Sequence, residues 1–290
     1  MSKLMKRVVT ACLALAMAVT LLAPVTAQAA TKTQNVTLYK GEVLKSYVYG
    51  TIKSVSSSKK TVVSAKKDSG HVEMTAKKTG KATVSIKTNR GTYKYVVTVK
   101  KLDITAKISD MGDGYLLLTV KNNTKQTFTS VLVDYVIKND QGATVKSDSR
   151  LVSGVVAGKT VYELLSYDQY SYTVDETKCS AKAVADNRSL TAKYKSVASK
   201  INTKIDEDTS EEDTLKLTFK SKNTQKKEAA NVSHYVLIYN AMDQVIGLRT
   251  VSFYLKAGKT DSYEIKIDKK YGYKDYDHYK VVTVAYSYTS

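Results

Sequence analysis

One long stretch of this 290-residue chain is written twice. Ile104-Thr105-Ala106-Lys107-Ile108 returns as Ile201-Asn202-Thr203-Lys204-Ile205, and residues 116–121 (LLLTVK) return as residues 215–220 (LKLTFK). Val136-Ile137-Lys138-Asn139 returns as Leu237-Ile238-Tyr239-Asn240, and Ala157-Gly158-Lys159-Thr160 as Ala257-Gly258-Lys259-Thr260. Tyr170-Ser171-Tyr172 returns as Tyr271-Gly272-Tyr273. The offset stays between 97 and 101 residues. Whatever fold the first copy takes, the second must therefore be able to take. Two long copies predict one domain duplicated, strung as beads; a solenoid needs three or more repeats.

Inside and outside the copies the hydrophobic period is two. Tyr95, Val97 and Val99 fall on one face, with Lys94, Thr98 and Lys100 on the other. Val282, Val284, Tyr286 and Tyr288 repeat that alternation. Runs rich in Val, Ile, Thr and Tyr end at Gly, Asn, Asp or Lys, and few stretches offer a long amphipathic helical period. With 42% apolar and 25% charged residues, wholesale disorder is excluded. The pattern predicts an all-β protein of three β-sandwich modules in tandem, at residues 30–101, 102–195 and 196–290.

A signal peptide is predicted over residues 1–29. Lys3, Lys6 and Arg7 precede an uncharged run at residues 8–23; Pro24 and then Ala27-Gln28-Ala29 follow. That order of cationic, apolar and small-residue segments is a secretory signal, with cleavage expected after Ala29. The run is short for a stable membrane span. Cleavage removes the only Pro and one of two Cys, leaving Cys179 without an intramolecular disulfide partner. An exported, Lys- and Tyr-rich, disulfide-free chain suggests a Gram-positive exoprotein, peripheral to the envelope and without a mature transmembrane span.

Residues 31–101 resemble the bacterial immunoglobulin-like domains of group 2. The resemblance rests on Leu38-Tyr39-Lys40-Gly41-Glu42, Val55-Ser56-Ser57-Ser58 and Val62-Val63-Ser64-Ala65. Gly70-His71-Val72-Glu73-Met74-Thr75-Ala76 and Thr79-Gly80-Lys81-Ala82-Thr83-Val84 complete it. Val55 stands where that family often has Trp. The two copies are similar to FxLYD-type extracellular sandwich domains over residues 133–142, where an apolar alternation runs into Asn139-Asp140-Gln141-Gly142. The resemblances imply that the three β-sandwich modules are immunoglobulin-like, and both imply binding or spacer modules and no catalysis.

Charge is unevenly spread. Residues 31–101 hold 16 basic and 3 acidic side chains, net +13, while residues 102–195 are net +1 and 196–290 net +2. Lys59, Lys60, Lys66, Lys67, Lys77 and Lys78 come in pairs within the basic segment. Such a field attracts polyanions, and outside a cell these are wall polymers and anionic lipid head groups. Lysines on strand edges also block sheet-to-sheet aggregation, so edge protection is the competing explanation. Nucleic acid is disfavoured, because the excess is Lys and bidentate base reading favours Arg.

No catalytic, cofactor or metal site is expected. His71, His234 and His278 show no metal-ligand spacing, and the segment holding Cys179 has no His to activate it. The acidic run at residues 206–213 reads as a solvated hairpin turn; calcium is the alternative, although the run lacks the glycine and alternating ligands of an EF-hand loop. The tyrosines at i, i+2 spacing share strand faces, and either line the core or form flat platforms. Tyr271, Tyr273 and Tyr276, in a polar Gly-containing stretch, are the candidate ligand platform. The expected function is a secreted, cell-surface adhesion or binding protein retained by its basic first module on anionic wall polymer or glycan. A host or envelope protein is a further possible partner. A carbohydrate-binding accessory of an extracellular enzyme system, or a structural spacer, is the alternative.

Overall fold

A computed structural model describes residues 31–184, 194–269 and 272–288. The signal segment and its cleavage site lie outside the described residues. Among the described residues the fold is all β, and the one helical element is a 3-10 turn at Ala198–Lys200.

The first strands are β1 (Thr31–Tyr39), β2 (Val43–Ser46), β3 (Ile52–Ser57), β4 (Val63–Asp68), β5 (His71–Ala76), β6 (Gly80–Thr88) and β7 (Gly91–Lys100). They form a sheet in the order β1-β7-β6-β3 and a facing sheet β2-β5-β4. β1 runs parallel to β7, with Val36 opposite Val97. The period-two pattern decides which side is inside. Val84, Ile86, Val97 and Val99 of one sheet meet Val63, Val72, Met74 and Ala76 of the other. Each of the Val, Ile and Met side chains stabilises the fold by about 1.5–3 kcal/mol through burial. Tyr95 joins this core, and its hydroxyl accepts from Ser46 Oγ at 2.5 Å.

The repeated segments fold alike. The first has β8 (Ile104–Gly112), β9 (Tyr115–Asn122), β10 (Phe128–Lys138), β11 (Thr144–Val155), β12 (Thr160–Ser166) and β13 (Ser180–Val184). Its sheets are β12-β9-β8 and β11-β10-β13. The second has β14 (Tyr194–Ser196), β15 (Ile201–Glu211), β16 (Thr214–Asn223), β17 (Ala230–Tyr239), β18 (Val245–Leu255), β19 (Thr260–Asp268) and β20 (His278–Tyr288). Its sheets are β15-β16-β19 and β14-β20-β17-β18. The matched hexapeptides occupy the equivalent central strands β9 and β16. A register shift at Ile137/Lys138 recurs at Ile238/Tyr239.

The two copies are not beads on a string. In β17 the residues His234, Tyr235, Val236, Leu237 and Ile238 are all buried. Val236 and Ile238 face their own sandwich, against Leu217, Phe219 and Ile267. Tyr235 and Leu237, with Leu248 and Val284, instead join a core shared with Leu117 and Tyr162 of the first copy. The rings of Tyr162 and Tyr235 meet edge-on at 5.5 Å. Four sheets therefore lie in series, and the two inner ones have apolar residues on both faces. A strand covered on both sides is expected to read as a continuous apolar run. The first sandwich is tied on by Tyr39, which packs edge-on against Phe128 at 5.4 Å and donates from its hydroxyl to Gln126 Oε1 at 3.0 Å.

Candidate functional site

All six lysines singled out in the sequence are exposed. They do not form one cluster. Lys59 and Lys60 lie in the β3–β4 turn, and Lys77 and Lys78 in the β5–β6 turn. Val62 joins these turns: its N–H donates to the Lys59 carbonyl, and its carbonyl accepts from the N–H groups of Lys77 and Lys78 at 2.8 and 3.3 Å. Four ammonium groups are thus carried at the end of the sandwich where β6 begins opposite Val99. Lys66 and Lys67 lie towards the opposite end of β4. Lys66 sits in register with Glu73, and Lys67 donates to the Ile52 carbonyl at 2.9 Å.

That opposite end also displays aromatic rings. Tyr47 and Tyr49 are 75% and 72% exposed. They lie in the β2–β3 connection, not on a strand as their spacing suggested. The Arg90 guanidinium sits 5.9 Å from the centre of the Tyr49 ring, within range of a cation–π contact. Tyr49 donates its N–H to the Tyr93 hydroxyl at 3.2 Å.

The tyrosines of the expected platform near the C-terminus pack partly against the core. Tyr273 is half-buried against the core of its own sandwich. It lies so close to Gly247 that an added Cβ there would come within 2.1 Å of the ring, and Arg249 covers it at 5.2 Å. Tyr276 is also half-buried on that core, which raises its pKa by desolvation. Both rings therefore serve, at least on one side, as packing surface. Tyr271 lies outside the described residues.

The remaining candidates are occupied structurally. The acidic run forms the β15–β16 hairpin, where it was expected. Asp206 pairs with Lys204 at 3.1 Å, Asp208 accepts from the Ser210 N–H at 2.9 Å, and Glu207 accepts from the Tyr279 hydroxyl. These carboxylates are spread over partners and do not converge on one point. Cys179 is a free, half-buried thiol that accepts from the Lys138 N–H at 3.4 Å and donates to the Asp175 carbonyl at 3.3 Å. His234 is buried between Phe219 and Phe253, with Nε2 2.9 Å from Ser221 Oγ and Nδ1 2.8 Å from Thr283 Oγ1. Burial lowers its pKa to about 4, so it is neutral in the fold.

Sequence reasoning missed a groove of about 500 Å³ between the two copies, lined by Tyr162, Tyr235, Tyr254, Tyr286, Arg150 and Glu163, among others. Arg150 and Glu163 are ion-paired across its wall at 2.9 Å. One available signal was the apolar outer face of β20, whose Val282, Val284 and Tyr286 are packed at this joint and not in their own sandwich.

No family model matches the chain, and no curated protein matches it. Among solved structures it is similar to one described as "Structural basis for the promiscuous specificity of the carbohydrate-binding modules from the beta-sandwich super family". The identity is 6%, the match covers 64% of this chain and 91% of that one, and the TM-score is 0.15.

Proposed function

We propose that this chain is a secreted, non-catalytic envelope protein whose first sandwich binds anionic wall polymers and so retains it at the cell surface. The observation that carries this reading is the exposure of all six paired lysines in a segment with 16 basic and 3 acidic side chains. The resemblance of that segment to group 2 bacterial immunoglobulin-like domains supports a binding or spacer role. Lysines act here as point charges towards repeating phosphates, at a range set by a Debye length of about 8 Å. The test uses the whole secreted chain with purified wall teichoic acid and with anionic vesicles. Binding should weaken steeply as salt rises. Reversing Lys59, Lys60, Lys77 and Lys78 to Glu should remove it; binding that ignores salt or survives reversal would show that the charge only protects strand edges.

A second reading is glycan binding, favoured by the groove between the copies. It combines four tyrosines with an Arg–Glu pair, and aromatic faces beside fixed polar groups suit sugar rings. Glycan binding lost in Tyr254→Ala, with the lysine reversal unaffected, would favour this reading. A spacer would bind neither class.

A further inference from the structure

The β4–β5 hairpin brings three metal-ligand side chains together on its outer face. Asp68 is directly opposite His71 across a two-residue turn, in which Gly70 takes φ of +82°. His71 and Glu73 are two apart on β5, so they point the same way. Their ligand atoms, with Asp68 Oδ2, all lie within 4.8 Å of one another. His71 Nε2 is 3.8 Å from Asp68 Oδ2 and 3.6 Å from Glu73 Oε1. Although it sits on the outer face, His71 is only 8% exposed, because the Tyr47 ring covers it at 5.2 Å. Its Nε2 is buried, aimed at both carboxylates, and has no hydrogen-bond partner. Asp68 uses its other oxygen to accept from the Ser69 N–H at 2.7 Å, a contact that fixes the carboxylate and leaves Oδ2 for the cluster.

We propose that Asp68, His71 and Glu73 form a site for a first-row divalent ion of the Zn²⁺ type, with its remaining positions open to water or to an oxygen of an anionic ligand. One imidazole nitrogen with two carboxylate oxygens suits such an ion better than Mg²⁺ or Ca²⁺, which favour all-oxygen sets. Metal–ligand bonds of about 2.0–2.2 Å bring ligand atoms about 3–3.5 Å apart, so the two His71–carboxylate distances need to close by only a few tenths of an ångström, and the two carboxylates, both carried at the hairpin surface, must draw together from within 4.8 Å. The competing cation is Lys45, whose Nζ lies 3.5 Å from Glu73 Oε1. Its side chain is half exposed and free to swing away. The site stands apart from the polyanion reading, since it uses none of the six lysines.

Isothermal titration of the chelator-stripped whole chain with ZnCl₂ at neutral pH tests the site. One ion should bind per chain. His71→Gln should abolish binding. Asp68→Asn, at a surface position whose change leaves the core intact, should weaken it about tenfold or more. Lys45→Met should tighten it. His278→Gln is the control: His278 also has two carboxylates near it, but Asp243 and Asp277 face opposite ring nitrogens at 3.4 and 2.8 Å. Binding should be unchanged there. The proposal is overturned by an absence of saturable binding, by binding that survives both Asp68→Asn and His71→Gln, by its loss in His278→Gln, or by no gain in Lys45→Met. Any of these would leave the Asp68–His71–Glu73 cluster as a structural contact of the hairpin.

Discussion

Asn122 and Asn223 hold the same place in the two copies. Each is fully buried at the end of its central strand, and each donates from Nδ2 to two backbone carbonyls. Asn122 reaches Gln126 and Val155 at 2.8 and 2.9 Å; Asn223 reaches Glu228 and Leu255 at 2.9 and 3.1 Å. In both cases Oδ1 accepts an N–H from two or so residues on, Thr124 or Gln225. One amide thus ties the turn after the central strand to the facing sheet, twice over.

Asn122→Ala and Asn223→Ala should therefore destabilise the protein by similar amounts, about 1–3 kcal/mol each, because each strands buried carbonyls. Urea denaturation of the two variants measures this. A large cost in one and none in the other would show that the equivalence is only geometric.

The joint between the copies makes a different prediction. Leu117 is buried there, and the equivalent position in the second copy is Lys216, which pairs with Glu264 at 2.9 Å. Leu117→Lys places an ammonium in the apolar contact with Tyr162 and Leu237 and should cost about 1–3 kcal/mol. Calorimetry of the wild type should show the two copies melting together, and the variant should split that transition. Separate transitions already present in the wild type would count against a shared core.

Acid should weaken the fold through His234. An unfolded histidine titrates near pH 6.5, whereas burial lowers this one to about 4. Above pH 6.5 both states are neutral and stability does not depend on this group. As pH falls from 6.5 towards 4 the unfolded chain takes the proton and the folded one does not. Stability is lost across that window, reaching about 3 kcal/mol. His234→Gln can keep both hydroxyl contacts without titrating, so its melting temperature should fall less between neutral pH and pH 4. Parallel pH profiles for the two proteins would rule the mechanism out.

Cys179→Ser should leave the melting temperature within a few degrees of wild type. A hydroxyl can take over both contacts of the thiol, to Lys138 and Asp175. A drop like that of a core truncation would assign the sulfur a packing role that its half-buried position does not suggest.

The strands and the duplication were legible because both are written in period. Tyr95, Val97 and Val99 face inward as their alternation requires. The joint was not legible, although its residues are conspicuous in retrospect. Leu116-Leu117-Leu118 and Tyr235-Val236-Leu237-Ile238 are unbroken apolar runs, the mark of a strand covered on both faces. Alternation can say that Val282 and Val284 are covered, but not by which sheet. The packing role of the tyrosines was hidden for a similar reason. A ring is large enough to cover an irregular edge, as Tyr273 does over Gly247, and a Gly-containing polar sequence around it looks like an open loop. The Asp68–His71–Glu73 cluster escaped because its third member arrives across a hairpin.

The joint pairs unlike faces: the outer side of β12-β9-β8 meets the outer side of β14-β20-β17-β18. Such a head-to-tail contact has no internal two-fold, and if repeated between molecules it would grow a filament without limit. Both free ends carry the chemistry that prevents this. Where the joint has Tyr235, the far sheet of the first copy has exposed Asp134; where it has Leu117, the far sheet of the second copy has Lys216, with exposed Lys220 and Lys266 beside it. Asp134→Tyr combined with Lys216→Leu would remove both stops, and the doubly altered chain should polymerise end to end while either single change leaves one end closed.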